Sequence, residues 1–467
     1  MRTVRPLIAG AATTAAVLSV LGLTATAQAL PAGPAARPHD PSVPKGIETA
    51  VNLPACPTGT TATSVTPAPP PTINVVIKGR TARLAGDWLS TGSTTFTVHC
   101  SDSSTKTSKI TVTATAPLNS AIAVGSDTIQ NVFDQFSADF NVGKAATATH
   151  LYSWDATNPN TGALHDLITP KAGCAQIQRP NGSSEGVTSL VTSQVVSGTN
   201  CINEARSSRS RLTTDPPYAA GGIAFVNLAG DAVTWSAQAT TNAPKTLTQA
   251  QLAAIYNCTD NNWSQVGGKN APIHAFIPQT GSGTRSFFLT AIGVAAPGPC
   301  VSDGGGALEE NQGVNPLLQD PDAIFPFSIG KYIAERFHSA TCFNAACTPN
   351  ANGVRCAPSG SKNLFGCNTH GTLVLKQING VAPTTGTSGS TVINSAFPAT
   401  FQRTVFEVVP WDPNTADHIP GAEAGRPGGV NLEPIFGASG FVCTNAVAKA
   451  DLKKYGFLVI PTCGITS

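Results

Sequence analysis

Gly281-Ser282-Gly283-Thr284-Arg285-Ser286-Phe287-Phe288 is the stretch on which the fold reading turns. It follows the apolar run Ile273-His274-Ala275-Phe276-Ile277 and leads into the helix-like Ser286-Phe287-Phe288-Leu289, so a glycine-rich turn joins a strand to a helix. Glycine lets backbone N–H groups approach a ligand, and the start of the helix adds the positive end of its dipole. Taken alone, such a turn is equally well an ordinary helix cap beside a surface arginine.

Repetition argues for an anion site. Ile122-Ala123-Val124-Gly125-Ser126-Asp127-Thr128-Ile129 is again an apolar run and a small hydroxyl-bearing turn, and the amphipathic Asn131-Val132-Phe133-Asp134-Gln135-Phe136 follows it. Residues 179–187 read Arg-Pro-Asn-Gly-Ser-Ser-Glu-Gly-Val, and residues 205–209 read Ala-Arg-Ser-Ser-Arg. From Leu118 onward strand-like runs alternate with helical patterns, which predicts an α/β fold with a mainly parallel sheet. Ligands of such sheets sit at the carboxyl ends of the strands, where these serine-rich turns fall.

In order and rough spacing, four segments resemble the anion loops of phosphate-binding proteins of the ABC transporter type. They are Gly125-Ser126-Asp127-Thr128, Gly182-Ser183-Ser184-Glu185-Gly186-Val187, Ser207-Ser208-Arg209 and Gly281-Ser282-Gly283-Thr284-Arg285. Leu252-Ala253-Ala254-Ile255-Tyr256 with Asn262-Trp263 resembles the helix before the family's anion loop, and Phe327-Ser328-Ile329-Gly330-Lys331-Tyr332 its return strand. The resemblance covers about residues 120–465. It implies a two-lobe periplasmic-binding-protein fold of type II, with lobe 1 at about 118–234 and 326–467 and lobe 2 at about 235–325. The chain would cross near Ala232–Ala237 and return near Phe325–Gly330, with inorganic phosphate or a similar oxyanion held between the lobes.

The ligand set that the resemblance implies is Ser126, Asp127, Thr128, Ser183, Ser184, Ser207, Ser208, Ser282, Gly283 and Thr284, with Arg209 or Arg285 supplying charge. A membrane permease is the implied partner. Two departures stand out. The arginine and aspartate that precede the Gly-Ser-Gly-Thr loop in the best-known members are here Pro278 and Thr280, and a second aspartate, which in some members accepts the proton of hydrogen phosphate, is here Ser208. Asp127 is the alternative acceptor, because an ionised carboxylate only accepts and so rejects a fully deprotonated oxyanion; its plainer reading is a helix cap.

Residues 1–29 carry Arg2 and Arg5, an Ala/Leu/Val-rich stretch and Ala27-Gln28-Ala29, the three regions of a secretory signal. Of 28 basic residues, loss of Arg2 and Arg5 leaves 26 against 26 acidic ones, a balance that suggests neither nucleic acid nor an anionic membrane as partner. No later apolar run approaches the roughly 18 residues of a membrane span, and no cysteine at the cleavage point marks a lipid anchor. A secreted or wall-held monomer is expected, without cofactor. Residues 30–50 are proline-rich and predict an extended linker. Between 51 and 117, alternating runs such as Thr94-Thr95-Phe96-Thr97-Val98 predict a small all-β, immunoglobulin-like sandwich around Trp88 and a Cys56–Cys100 bridge.

Twelve cysteines in an exported chain point to disulfides, with Cys174/Cys201, Cys258/Cys300 and Cys443/Cys463 as the local pairs. Cys342, Cys347, Cys356 and Cys367 crowd one region but lack the Cys-x-x-Cys spacing of a zinc site. The eight histidines form no metal-binding pair, and Glu309-Glu310 near Asp303-Gly304-Gly305-Gly306 reads as a solvated turn rather than a calcium loop. Arg206, Arg209 and Arg211 read as a basic face or a solvated loop. Two other readings remain open. Gly182-Ser183-Ser184-Glu185-Gly186 fits the nucleophile elbow of a serine hydrolase, with Ser184 as nucleophile, but lacks a good preceding strand. A secreted adhesion or wall-associated protein that kept the fold without its ligand is the other.

Overall fold

A computed structural model of the chain describes residues 41–69, 73–88, 90–145, 147–158, 163–195, 200–335, 370–387, 390–421 and 427–467. The expected signal segment and Cys342, Cys347, Cys356 and Cys367 lie outside these residues.

Seven strands come first: β1 (Ser42–Pro44), β2 (Glu48–Asn52), β3 (Ala62–Thr66), β4 (Ile73–Lys78), β5 (Thr81–Asp87), β6 (Gly92–Cys100) and β7 (Thr105–Thr113). They form two sheets, β1-β7-β6-β3 and β2-β5-β4, over a shared core of Val51, Leu84, Trp88, Phe96, Val98 and Ile110, stitched by Cys56–Cys100. Of the linker expected over 30–50, the described part, 41–50, is corrected: β1 pairs with β7 and β2 with β5, because Val43 and Ile47 are buried and Pro44 sits at the end of an outer strand, where its missing N–H is tolerated. The β-region is docked rather than free. Arg83 pairs with Asp139 at 3.1 Å, and Ala50 and Val76 form a small apolar contact with Ala138 of the helix α1 (Gln130–Phe140).

β8 (Ala121–Gly125) and β9 (Leu151–Ser153) flank α1 in sequence. β10 (Leu167–Ile168) and β11 (Ile177–Gln178) are a short antiparallel pair ahead of α2 (Ser183–Val195). β12 (Glu204–Ser207) and the long β13 (Ile223–Gln238) follow. Next come β14 (Thr246–Leu247), α3 (Gln249–Tyr256), β15 (His274–Phe276), α4 (Gly283–Ile292), β16 (Val301–Ser302), β17 (Ala323–Ser328) and α5 (Ile329–Ile333). The chain ends with β18 (Leu373–Leu375), β19 (Gln377–Ile378), β20 (Thr384–Thr385), β21 (Val392–Ile393), β22 (Gln402–Pro410), α6 (Glu433–Phe436), α7 (Phe441–Thr444) and α8 (Ala446–Lys454).

The principal sheet runs β16-β15-β17-β13-β22-β12-β8-β9, with β18 also on β13. β8, β9 and β12 are parallel, as are β15, β16 and β17, but β13 pairs antiparallel with β22, β17 and β18. The sheet is therefore mixed at its centre, not mainly parallel. β13 is buried along its whole length and changes partner at Ala232/Val233, from β22 on one side to β17 on the other.

Two lobes result. The first packs Phe133, Phe136, Phe436, Val405 and Leu452 on one face of the sheet and Val124, Leu190, Phe225 and Val408 on the other. The second centres on Trp235, Trp263, Tyr256 and Phe288. Burying each such ring contributes roughly 1.5–3 kcal/mol. Residues 373–401 correct the expected first-lobe boundary. Ile378, Ile393, Phe397 and Phe401 join the core around Trp235, and β22 then pairs with β12 in the first lobe. Loop-rich sequence gave no periodicity from which that return is visible.

Cys174–Cys201, Cys258–Cys300 and Cys443–Cys463 are bonded as the local spacing predicts. Among the described residues no helix is long and apolar enough to cross a membrane.

Candidate oxyanion cleft

The serine-rich turns meet where the lobes face each other. Ser282 caps α4, its Oγ accepting from Arg285 N at 3.1 Å, which leaves the next N–H groups of the first turn pointing into the cleft. Across the cleft, β8 ends at Gly125, whose φ of +106° suits glycine and whose added Cβ would lie 2.8 Å from Arg206 O. Arg206 is buried behind that turn. Its guanidinium donates to Ser126 O (3.1 Å), Gly125 O (3.3 Å), Ser153 Oγ (2.9 Å) and Trp154 O (2.8 Å), so it braces the loop from within the first lobe.

Ser126, Thr128, Ser183, Ser208, Ser282 and Thr284 are brought together. Ser126 Oγ lies 3.0 Å from Ser208 Oγ, Ser208 N donates to Ser183 Oγ at 3.0 Å, and Thr128 Oγ1 lies 3.3 Å from Thr284 Oγ1. Gly283 lets the first turn of α4 approach: a Cβ there would collide with Ser183 Oγ and Ser208 Oγ.

A carboxylate fills this cradle. Glu310 is 1% exposed, and its Oε1 accepts from Ser126 Oγ (3.1 Å), Thr128 N (3.3 Å) and Thr128 Oγ1 (3.1 Å) of the first lobe. Its Oε2 accepts from Thr284 N (3.1 Å) and Ser282 Oγ of the second lobe. The Glu310 carboxylate thus stands where a small oxyanion would, at the N-terminus of α4 and ringed by neutral donors. Its neighbours tie the same strap to the first lobe. Asn181 Nδ2 donates to Glu309 Oε1 at 2.8 Å, and Asn311 Nδ2 donates to Asp127 Oδ2 at 3.1 Å. The solvated turn expected at Glu309-Glu310 is therefore corrected: both side chains are buried.

Burial is the leading cause that pushes Glu309 up to about 8 and Asp127 up to about 6, with Lys331, 3.7 Å from Asp127, pulling the latter back. Asp127 stands one amide from the cradle, since Asn311 Nδ2 bridges Asp127 Oδ2 and Thr128 Oγ1, the second contact at 3.2 Å.

The two expected arginines are directed elsewhere. Arg209 pairs with Asp215 at 2.8 Å and donates to Ser184 Oγ at 3.1 Å, while Arg285 donates to Pro278 O at 2.9 Å and lies 3.3 Å from Asp303. Arg206 and Arg209 are buried, which corrects the expected basic face or solvated loop. Ser207 Oγ donates to Arg209 O at 2.7 Å within its own turn. Ser184 faces Arg209 rather than an imidazole; His165, close by, pairs with Glu185 at 3.0 Å.

The guanidinium at the cradle is Arg403 of β22, a residue that motif reading passed over. It donates to Asp231 Oδ2 (2.8 Å), Ser208 O (2.8 Å) and Thr284 Oγ1 (3.1 Å). Because Thr284 Oγ1 accepts from Arg403, its own hydroxyl hydrogen is free to point elsewhere. Asp231 also accepts from Ser328 Oγ at 2.9 Å and Gly330 N at 3.0 Å, so one buried pair ties the three crossing segments together. Neither Arg403 nor Glu310 carries a local signature; each is an ordinary charged residue in a strand or a loop.

Fold and cradle together define a two-lobed α/β protein with a carboxylate-holding cradle between its lobes. Residues 156–336 match the PBP superfamily domain. No curated protein sequence matches the chain. Among solved structures, the chain is similar to an ABC-type phosphate transport receptor from Vibrio cholerae, at 16% identity and a TM-score of 0.41, over 73% of this chain and 100% of that one. It is also similar to PstS from Borrelia burgdorferi (16% identity, TM-score 0.35, 73% and 98% covered). A third is a phosphate-binding protein from Stenotrophomonas maltophilia (10% identity, TM-score 0.36, 74% and 91% covered).

Proposed function

We propose that the chain is an exported solute-binding protein whose cleft captures a small oxyanion, inorganic phosphate in the first instance, without chemical change to it. The observation that carries this reading is the convergence of Ser126, Thr128, Ser282 and Thr284, from both lobes, on one anionic group. Neutral N–H and O–H donors replace a hydration shell at no cost in net charge, and hydrogen bonds to a charged group stabilise by roughly 1.5–3 kcal/mol each. Ser126, Thr128, Ser183, Ser208, Ser282, Gly283 and Thr284 line the site in this reading. Asp127 acts at its edge as acceptor for a ligand proton, and Arg403 supplies the positive charge expected of Arg209 or Arg285. Delivery to an ABC-type permease is the physiological role that fits such a receptor.

The test is thermal melting of the oxidised protein with phosphate, sulfate and a neutral sugar. A ligand at about 100 times its dissociation constant adds roughly 2.7 kcal/mol to stability. The expected result is a rise with phosphate that shrinks in both Ser282→Ala and Thr128→Ala, whose side chains donate into the cradle. A rise that both variants keep in full, or one that the sugar matches, would place the ligand elsewhere and refute the reading.

A further inference from the structure

In a receptor of this kind the cradle would stand open for the solute, yet here the chain's own Glu310 occupies it. Five hydrogen bonds converge on that carboxylate: from Ser126 Oγ, Thr128 N and Thr128 Oγ1 on one lobe and from Ser282 Oγ and Thr284 N on the other. Those are the donors a bound oxyanion would use, and a carboxylate with one acceptor oxygen toward each lobe satisfies them as a ligand does.

We propose that Glu310 is a tethered internal ligand that competes with the solute for the cradle and thereby sets the affinity and selectivity of the site. This inference deepens the oxyanion reading and rests on it. Three features of the strap support competition rather than a passive core contact. Glu310 is flanked by residues that cross the cleft with it: Glu309 takes a bond from Asn181 and Asn311 donates to Asp127, both on the first lobe. The strap is anchored in the second lobe, where Leu308 is buried beside Phe325 and Phe327 and Asn311 Oδ1 accepts from Ser328 N at 3.0 Å. Glu310 therefore bridges the lobes as a solute would, and drawing the lobes apart removes it from Ser126 and Thr128 while leaving the anchors in place. The three successive glycines ahead of it, Gly304, Gly305 and Gly306, at φ of +64°, +70° and +84°, give the strap a turn that only glycine adopts without strain.

A tethered competitor acts at the effective concentration its linkage imposes, whatever the concentration of protein. Only an anion that binds the donors better than a carboxylate displaces it. Phosphate, with more acceptor oxygens, passes that filter; monocarboxylates such as acetate do not. If Glu310 fills the cradle nine-tenths of the time, its removal tightens apparent affinity about tenfold, since apparent affinity scales with the fraction of open sites.

The experiment is calorimetric titration of inorganic phosphate and of acetate into the oxidised wild-type protein, Glu310→Ala and Glu310→Gln, with melting curves of each. Competition predicts about tenfold or more tighter phosphate binding in Glu310→Ala and an intermediate gain in Glu310→Gln, which keeps the size but not the charge. It also predicts a lowered Tm in Glu310→Ala without anion, because the cradle donors lose their partner, and recovery of that Tm with phosphate. Acetate should bind Glu310→Ala and not the wild type. Phosphate binding to wild type and both variants with equal affinity overturns the competition while leaving the oxyanion reading intact. Absence of phosphate binding in all three proteins overturns the oxyanion reading itself, and the competition with it. If Glu310→Ala fails to fold, equal phosphate affinity in the wild type and Glu310→Gln is the overturning result.

Discussion

Replacing Arg403 by Met tests the junction that joins the lobes behind the cradle. The Arg403–Asp231 pair is 2%/0% exposed at its side chains and its contacts are 2.8–3.0 Å. Methionine fills much of the volume but leaves the Asp231 carboxylate buried with only Ser328 Oγ and Gly330 N as donors, and leaves Ser208 O without the guanidinium that met it at 2.8 Å. Breaking a buried ion pair by removing one partner costs about 3–5 kcal/mol, chiefly for the stranded charge. The two donors that stay with Asp231 stabilise the charge in part, so the expected loss lies near the low end, about 3 kcal/mol. Adding Asp231→Asn removes the stranded charge, so the double variant should lose about 1–3 kcal/mol less than the sum of the two single losses. Denaturant unfolding of the oxidised protein, followed through the fluorescence of the buried Trp235 and Trp263, measures all three losses. A loss below about 1 kcal/mol in Arg403→Met, or strictly additive single losses, would refute the argument that the pair is a desolvated link between the crossing strands.

Gly283→Ala should destabilise by about 1–3 kcal/mol and abolish phosphate binding, because its methyl group collides with Ser183 Oγ and Ser208 Oγ; an unchanged Tm would show that the α2–α4 approach is looser than the structure has it. Stability should also fall as pH rises from about 4 to 8, through Asp127 up to about 6 and through Glu309 up to about 8. Asp127, raised from 3.8 to about 6, and Glu309, raised from 4.5 to about 8, hold protons in the folded state that the unfolded chain has already released, so both favour folding least once pH exceeds their folded values. At one pKa unit per 1.36 kcal/mol, Asp127 alone accounts for about 3 kcal/mol across its window. Melting curves at constant ionic strength check the sign; a Tm that climbs steadily over that range would contradict it.

Much of the fold is written locally. The Gly-Ser-Gly-Thr turn, the hydroxyls at 126, 128, 183 and 208 and the apolar runs before them announce strand–turn–helix units, because capping, glycine conformation and apolar periodicity all act over a few residues. The four disulfides among the described residues join cysteines that are consecutive in the chain, 20–44 residues apart. What tertiary structure alone decided is the charge of the site. Arg209 and Arg285 sit beside the serine turns in sequence, yet nearer acids and carbonyls claim them, while Arg403, far along the chain, arrives through the antiparallel pairing of β22 with β13. Glu310 likewise reads as a solvated residue in a glycine-rich loop, and only the packing of Leu308 and the closure of two lobes place its carboxylate among the donors. Sequence determines which groups can hydrogen-bond and which segments fold locally; the pairing of distant charges is set by long-range strand order, for which no neighbouring residue carries a signal.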